Sequence, residues 1–248
     1  MRKNGSLLLG LCVFLAGAGH SLAQDSAEAI IDKAIQAQGG LEKLTKFKAM
    51  QATSKGTMDI MGQNVPFTAE GYAQLPNQFK SVIELSVGGM KATMVQLMNK
   101  DKIEITVNGM ALPLNDKMRE EVKEQVYAEV VVSLAPLKDK GYTFSALGES
   151  KVNDRPVVGV KVSSKGHRDI SLYFDKADGL LVKSAHPATD QMSGQEYIQE
   201  TIHSDYKEFN GIKRPSKEIV NRDGKKMADI EITDVKNLEK LDDKVFEP

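Results

Sequence analysis

His203 and Asp205 stand two apart in "ETIHSDY". On an extended strand that spacing turns both to one face, together with Tyr197 and Thr201. An imidazole and a carboxylate so placed are two of the ligands that a divalent metal needs, and a catalytic zinc takes at least three. No third ligand has usable spacing. His186 falls in a loop, and His167 sits in the turn "SSKGHRD", where it needs no special role. The pair therefore reads as part of a solvent-facing polar strip. Glu120, Glu121 and Glu124 are close carboxylates, but they read as the solvated face of a helix. No serine has a nucleophile-elbow context, and no glycine run cradles a phosphate. With no convergent polar constellation, the chain reads as a non-enzymatic binding protein that uses no metal and no cofactor.

The lone cysteine, Cys12, lies in a leader. Arg2 and Lys3 precede an apolar run from Leu7 to Ala18, and Ser21-Leu22-Ala23 offers small residues at the positions a signal peptidase reads. Residues 1–23 are thus expected to be a cleaved signal peptide, with the mature chain starting at Gln24 as a single domain, 24–248. The run is shorter than the ~20 residues a spanning helix needs, which predicts a soluble, exported protein, without disulfides. Lys and Arg number 33 against 34 Asp and Glu, for a formal net charge of −1. The charges are mixed along the chain, which argues against nucleic acid and against a polybasic membrane patch.

The elements that must carry the function are mostly strands. A helix opens the mature chain, with Asp25 and Glu28 spaced as a capping box and Gly39-Gly40 as its stop. From Lys48 the apolar period becomes two. Phe79, Ile83, Leu85 and Val87 share a face, as do Ile103, Ile105 and Val107, then Val158, Val160 and Val162, then Ile170, Leu172 and Phe174. Asn108-Gly109, Asp178-Gly179, Asn210-Gly211 and Asp223-Gly224 stand between such runs and suit tight hairpins. The pattern predicts a mainly β (α+β) fold: a meander of about ten or eleven antiparallel strands, curled into a single unclosed barrel because flat sheets of that size are rare.

One long helix interrupts the strands. Met118, Val122, Val126, Val130 and Leu134 recur every four residues, widened by Tyr127 and Val131. Asn115 or Asp116 starts it and Pro136 stops it. Burying the five stripe residues contributes roughly 10 kcal/mol gross, so the stripe must cover the concave face of the sheet. An acyl chain of about a dozen carbons gains a similar amount, at ~0.8 kcal/mol per methylene. On that balance a lipid can displace the helix wholly or partly; the alternative is a helix that plugs the barrel permanently and leaves no cavity. The candidate cavity wall is Phe67, Phe79, Ile83, Leu85, Met94, Met98, Ile105 and Val107 on the sheet, with Met118, Val122, Val126, Val130 and Leu134 on the helix. Methionine adapts to irregular ligands.

Four stretches resemble the LolA-like superfamily of periplasmic lipoprotein and lipid carriers: "AQGGLEKLTKFKAM", "PNQFKSVIEL", "YFDKADGLLVKSAH" and "SDYKEFNGIKRPSKEIV", the last followed by the terminal "LDDKVFEP". The resemblance implies an unclosed antiparallel barrel whose helices cover a hydrophobic cavity. It also implies a monomeric periplasmic carrier that binds the acyl chains of a lipid or lipoprotein and moves between the inner and outer membranes. A membrane-bound donor or acceptor protein would be its partner. Relatives on the fold also sense envelope stress, so a protein-interaction module is the alternative.

Overall fold

The computed structural model describes residues 26–190 and 193–247. The leader with Cys12, the cleavage point before Gln24, and Asp25 lie outside the described residues. The chain opens with α1 (Ala27–Gln38) and α2 (Leu41–Lys46). Ser26 caps α1, its hydroxyl accepting the Ala29 N–H at 3.2 Å. The cap thus sits one residue beyond the Asp25–Glu28 box, because a serine hydroxyl reaches the third residue on equally well. Gly39 ends α1 at φ 140°, and a Cβ there would stand 2.5 Å from the Gly211 carbonyl oxygen. Only glycine allows that close approach.

Six strands follow: β1 (Ala49–Ile60), β2 (Gln63–Gln74), β3 (Gln78–Val87), β4 (Met90–Asn99), β5 (Lys102–Val107) and β6 (Met110–Ala111). Then comes α3 (Asp116–Val132), capped by Asn115, whose side chain accepts the Met118 N–H. It ends at Val132, earlier than Pro136. Leu134 turns to φ 66°, and Pro136 falls within a separate 3-10 turn, Ala135–Lys138. The second half holds β7 (Tyr142–Val152), β8 (Arg155–Ser164), β9 (Ile170–Asp175), β10 (Leu181–Thr189), β11 (Glu196–Ser204), β12 (Lys207–Phe209), β13 (Ile212–Arg214), β14 (Lys217–Arg222) and β15 (Lys225–Leu238).

The strands build one 13-stranded antiparallel sheet in the order β6-β5-β4-β3-β2-β1-β15-β14-β11-β10-β9-β8-β7, with β12 and β13 as a separate hairpin. The sheet is open: β6 and β7 are its edges. The sheet is unclosed, as expected, but it is an open sheet of 13 strands rather than a barrel of ten or eleven. The undercount has a physical cause. β1 carries small and polar residues on both faces, and β6, β12 and β13 are two or three residues long, so none of these shows a clear apolar alternation. The hairpin signals hold. Asn108-Gly109, Asn210-Gly211 and Asp223-Gly224 each have both residues at positive φ, as the hairpin turn with matching twist requires.

The sheet wraps α3 from two sides. Val122 and Val126 press on Met98, Ile103 and Ile105 of the first half. Tyr127, Val131 and Leu134 enter a larger core with α1, β8 and β9, including Ile31, Ile35, Val160, Leu172 and Phe174. All the α3 residues named here are buried. Among the described residues, no helix is long and apolar enough to cross a membrane.

Candidate functional site

The inner face of the first half follows from register. Phe79 faces Met98, Ile83 faces Met94, Met94 faces Val107, and Gln96 faces Ile105 across neighbouring strands. Cross-strand partners share a face, so the predicted apolar set does line one side of the sheet. Its members nevertheless have different surroundings. Met98, Ile105 and Val122 are in solid contact with one another, and Leu134 lies in the core beside α1. Phe67, Leu85, Val107 and Met118 border neither of the two interior cavities described next.

Beyond Val122 the helix does not fill the space. A cavity of about 290 Å³ separates Val126 and Glu129 of α3 from Phe79, Ile83 and Met94 on one side, and from Ser184, His186, Thr201, His203 and Glu218 on the other. A second cavity, of about 470 Å³, lies toward α2 among Leu44, Phe47, Met50, Leu75, Val130 and Tyr142, with Arg214 in its wall. Phe79, Glu129 and Val132 border both. Of the predicted wall residues, Phe79, Ile83, Met94, Val126 and Val130 are therefore the ones brought to open space.

The far wall is polar, and periodicity did not reveal it. His203 is 4% exposed. Its Nδ1 lies 3.0 Å from a Glu218 oxygen and its Nε2 lies 3.1 Å from the Ser184 hydroxyl. The expected solvent-facing strip is thus an interior one. β11 turns Ile198 outward, 45% exposed, and Thr201 and His203 inward, where Ser184, His186 and Glu218 join them beside Val220 and Ile230. Asp205 lies past the end of β11 at φ 54°, exposed, away from this wall. His186 is in β10, not in a loop, and is buried with no partner for its Nδ1. Burial lowers its pKa, so it is held neutral. Among the described residues, no three His, Cys, Asp or Glu side chains are grouped to hold a metal ion.

Glu129 is the central feature. It has accessible surface and borders both cavities. Among the described residues, no hydrogen bond or ion pair reaches its side-chain carboxyl. Burial first, and the charge of Glu218 second, push its carboxyl up to about 7. His203 and Arg214 act in the opposite sense and are outweighed.

Polar bonds hold α3 on both flanks. Arg119 donates to the Ile103 carbonyl at 2.9 Å, and Gln96 to Gln125 at 3.2 Å. On the other flank Glu121 accepts from Arg168 at 2.8 Å. Glu124 accepts the Arg168 N–H at 2.9 Å and meets His167 Nδ1 at 2.8 Å. The His167 ring stacks on Tyr127 with centroids 3.8 Å apart. Glu121 and Glu124 are therefore buried, not solvated as expected, because the second half of the sheet covers that side of the helix. Glu120 alone stays exposed. His167, given no role by its turn, is part of this latch.

No protein-family profile matches the chain, and no curated protein sequence matches it. Solved structures do. A LolA superfamily protein from Nitrosomonas europaea is 12% identical, with a TM-score of 0.58, covering 91% of this chain and 99% of that one. A DUF1329 family protein from Desulfovibrio piger is 12% identical, with a TM-score of 0.54 and coverage of 90% and 98%. A domain named for outer-membrane lipoprotein sorting, from Vibrio parahaemolyticus, is 11% identical, with a TM-score of 0.51 and coverage of 89% and 97%. At such identities the likeness is one of fold: the chain has a LolA-type fold.

Proposed function

We propose that this LolA-type chain is a periplasmic, non-enzymatic carrier that holds an acyl chain of a lipid or lipoprotein between α3 and the concave face of its sheet. One observation carries the reading. The helix leaves two bordering cavities, about 290 and 470 Å³, on the inner side of the sheet. Their sizes fall in the range of small-molecule sites, and Phe79, Met94, Val126 and Val130 give them apolar walls. A tail entering between α2 and α3 would gain burial without unfolding the sheet. The larger core on α1, β8 and β9 would stay intact, so movement of α3 would occur on its β3–β5 flank. Native mass spectrometry with a long-chain fatty acid tests this. Retention of the probe is expected, and recovery as bare polypeptide at saturating probe would overturn it. The exported form is expected to begin at Gln24, checked by N-terminal sequencing.

A second reading, a protein-interaction module on the same fold, draws on one feature. Met61 is 99% exposed, Met90 74% and Met110 70%. They occupy the tips of the β1–β2, β3–β4 and β5–β6 hairpins, which lie at one end of the sheet. Exposed apolar groups gathered at one rim suit docking. A chain serving only that role would bind no fatty probe.

A further inference from the structure

Among the described residues, the wall of the larger cavity holds a cation with no ion-pair partner, Arg214, with Glu129 as the carboxylic acid felt by its charge. Arg214 ends β13, and its Nε and one Nη reach only the Asn237 side-chain oxygen, at 3.4 and 3.2 Å. That oxygen is neutral, and Asn237 is itself fixed by donating to the Phe209 carbonyl at 2.9 Å. Among the described residues, no carboxylate lies within ion-pair distance of Arg214. Two other charged groups border the same cavity, Lys48 and Asp139, and both are solvent-exposed. The remaining acid, Glu129, is unpaired and is held largely protonated on the acid side of its transition near 7. A guanidinium presents a planar fork of donors that matches a carboxylate, and here part of the fork is unused. Leu44, Phe47, Leu75 and Val130 supply apolar wall beside it.

The geometry points to a head-group subsite: Arg214 receives the carboxylate of a single-chain anionic amphiphile whose tail lies along the apolar wall of the same cavity. The inference rests on the acyl-binding reading and narrows it to ligands with a free anion. An acyl chain in ester or amide linkage offers Arg214 no such group. An isolated buried cation is costly, and a ligand carboxylate supplies what Asn237 cannot. A protonated Glu129 carboxyl, bordering the same space, can donate a further hydrogen bond to the anion.

Isothermal titration of the full mature chain with laurate, lauryl alcohol and laurylamine decides it, each below its micellar concentration and on the acid side of the Glu129 transition. Laurate is expected to bind about tenfold or more tighter than the alcohol, the effect of one charge-assisted contact, with the amine weakest. Arg214→Gln should bring laurate to the level of the alcohol and leave the alcohol unchanged. Equal affinity of the wild-type protein for laurate and the alcohol would overturn the inference, and needs no variant to fold. A laurate preference that survives in Arg214→Gln would remove Arg214 from the role. Binding of none of the three would instead overturn the acyl-binding reading itself.

Discussion

Glu129→Gln should stabilise the protein, and only above the acid range. The carboxyl moves from an ordinary 4.5 to about 7 on folding, so the native state holds its proton more tightly than the unfolded chain. Between those values the native state carries the extra proton, and unfolding free energy therefore falls as pH rises. The full cost is present above the folded value and is absent below the unfolded one. At ~1.36 kcal/mol per unit the upper bound is about 3 kcal/mol. Glu129 keeps accessible surface and borders both cavities, so solvent screening brings this to about 1–2 kcal/mol. Glutamine keeps the shape and removes the charge. For a domain of this size that is a rise in melting temperature of about 2–8 °C at about pH 9, shrinking toward zero near pH 5. Thermal melts followed by circular dichroism across that range, wild type against variant, measure it. All other titrating groups are common to both proteins, so the difference isolates Glu129. A shift of equal size at both ends of the range would refute the reasoning, as would a loss of stability at alkaline pH.

Val126→Asp places a carboxylate at a position 2% exposed, where it has no cation to meet. Urea titration should show a loss of several kcal/mol or outright unfolding, and an unchanged midpoint would show that the α3 stripe is not buried. Arg168→Met strands the Glu121 carboxylate, whose side chain is 3% exposed, and should cost about 3–5 kcal/mol. Adding Glu121→Met should restore most of that loss, which a double-mutant cycle reads as coupling. Ile83→Trp grows into the 290 Å³ cavity. It should lower affinity for a fluorescent fatty probe by about tenfold with little change in stability, since the site is empty space rather than packed core.

What could be read from the sequence was whatever one residue and its near neighbours decide. β3, β5, β8 and β9 show apolar alternation, and three of the four named hairpin turns have the two left-handed residues they require. The α3 stripe is apolar at the right period, and its start at Asn115 is marked by a side chain that caps. The polar half of the cavity could not be read in this way. Ser184, His203 and Glu218 come together from β10, β11 and β14, on strands whose inward residues mix polar with apolar, Ala188 and Val220 among them, so no clean alternation marks the face. A faint signal existed: Ser184 and His186, and Thr201 and His203, repeat a small hydroxyl and an imidazole two apart. The burial of Glu121 and Glu124 depends on a second wall against α3, which no local pattern on the helix reports. Arg214 is hidden for a simpler reason: a cation in "IKRPS" reads as surface until the fold closes over it.

The seam between β1 and β15 has a consequence for how the molecule is made. Thr53 and Thr233 share a side-chain hydrogen bond at 2.9 Å across 180 residues of chain, and the two strands pair along nearly their whole lengths. A polypeptide synthesised from its amino end can form the first set of hairpins early, but β1 must wait with one flank bare until the last long strand emerges. Distant pairings of this kind slow folding, and a bare flank invites pairing with other chains. Refolding should therefore be concentration-sensitive, and truncation before Lys225 should yield aggregates rather than a smaller soluble domain.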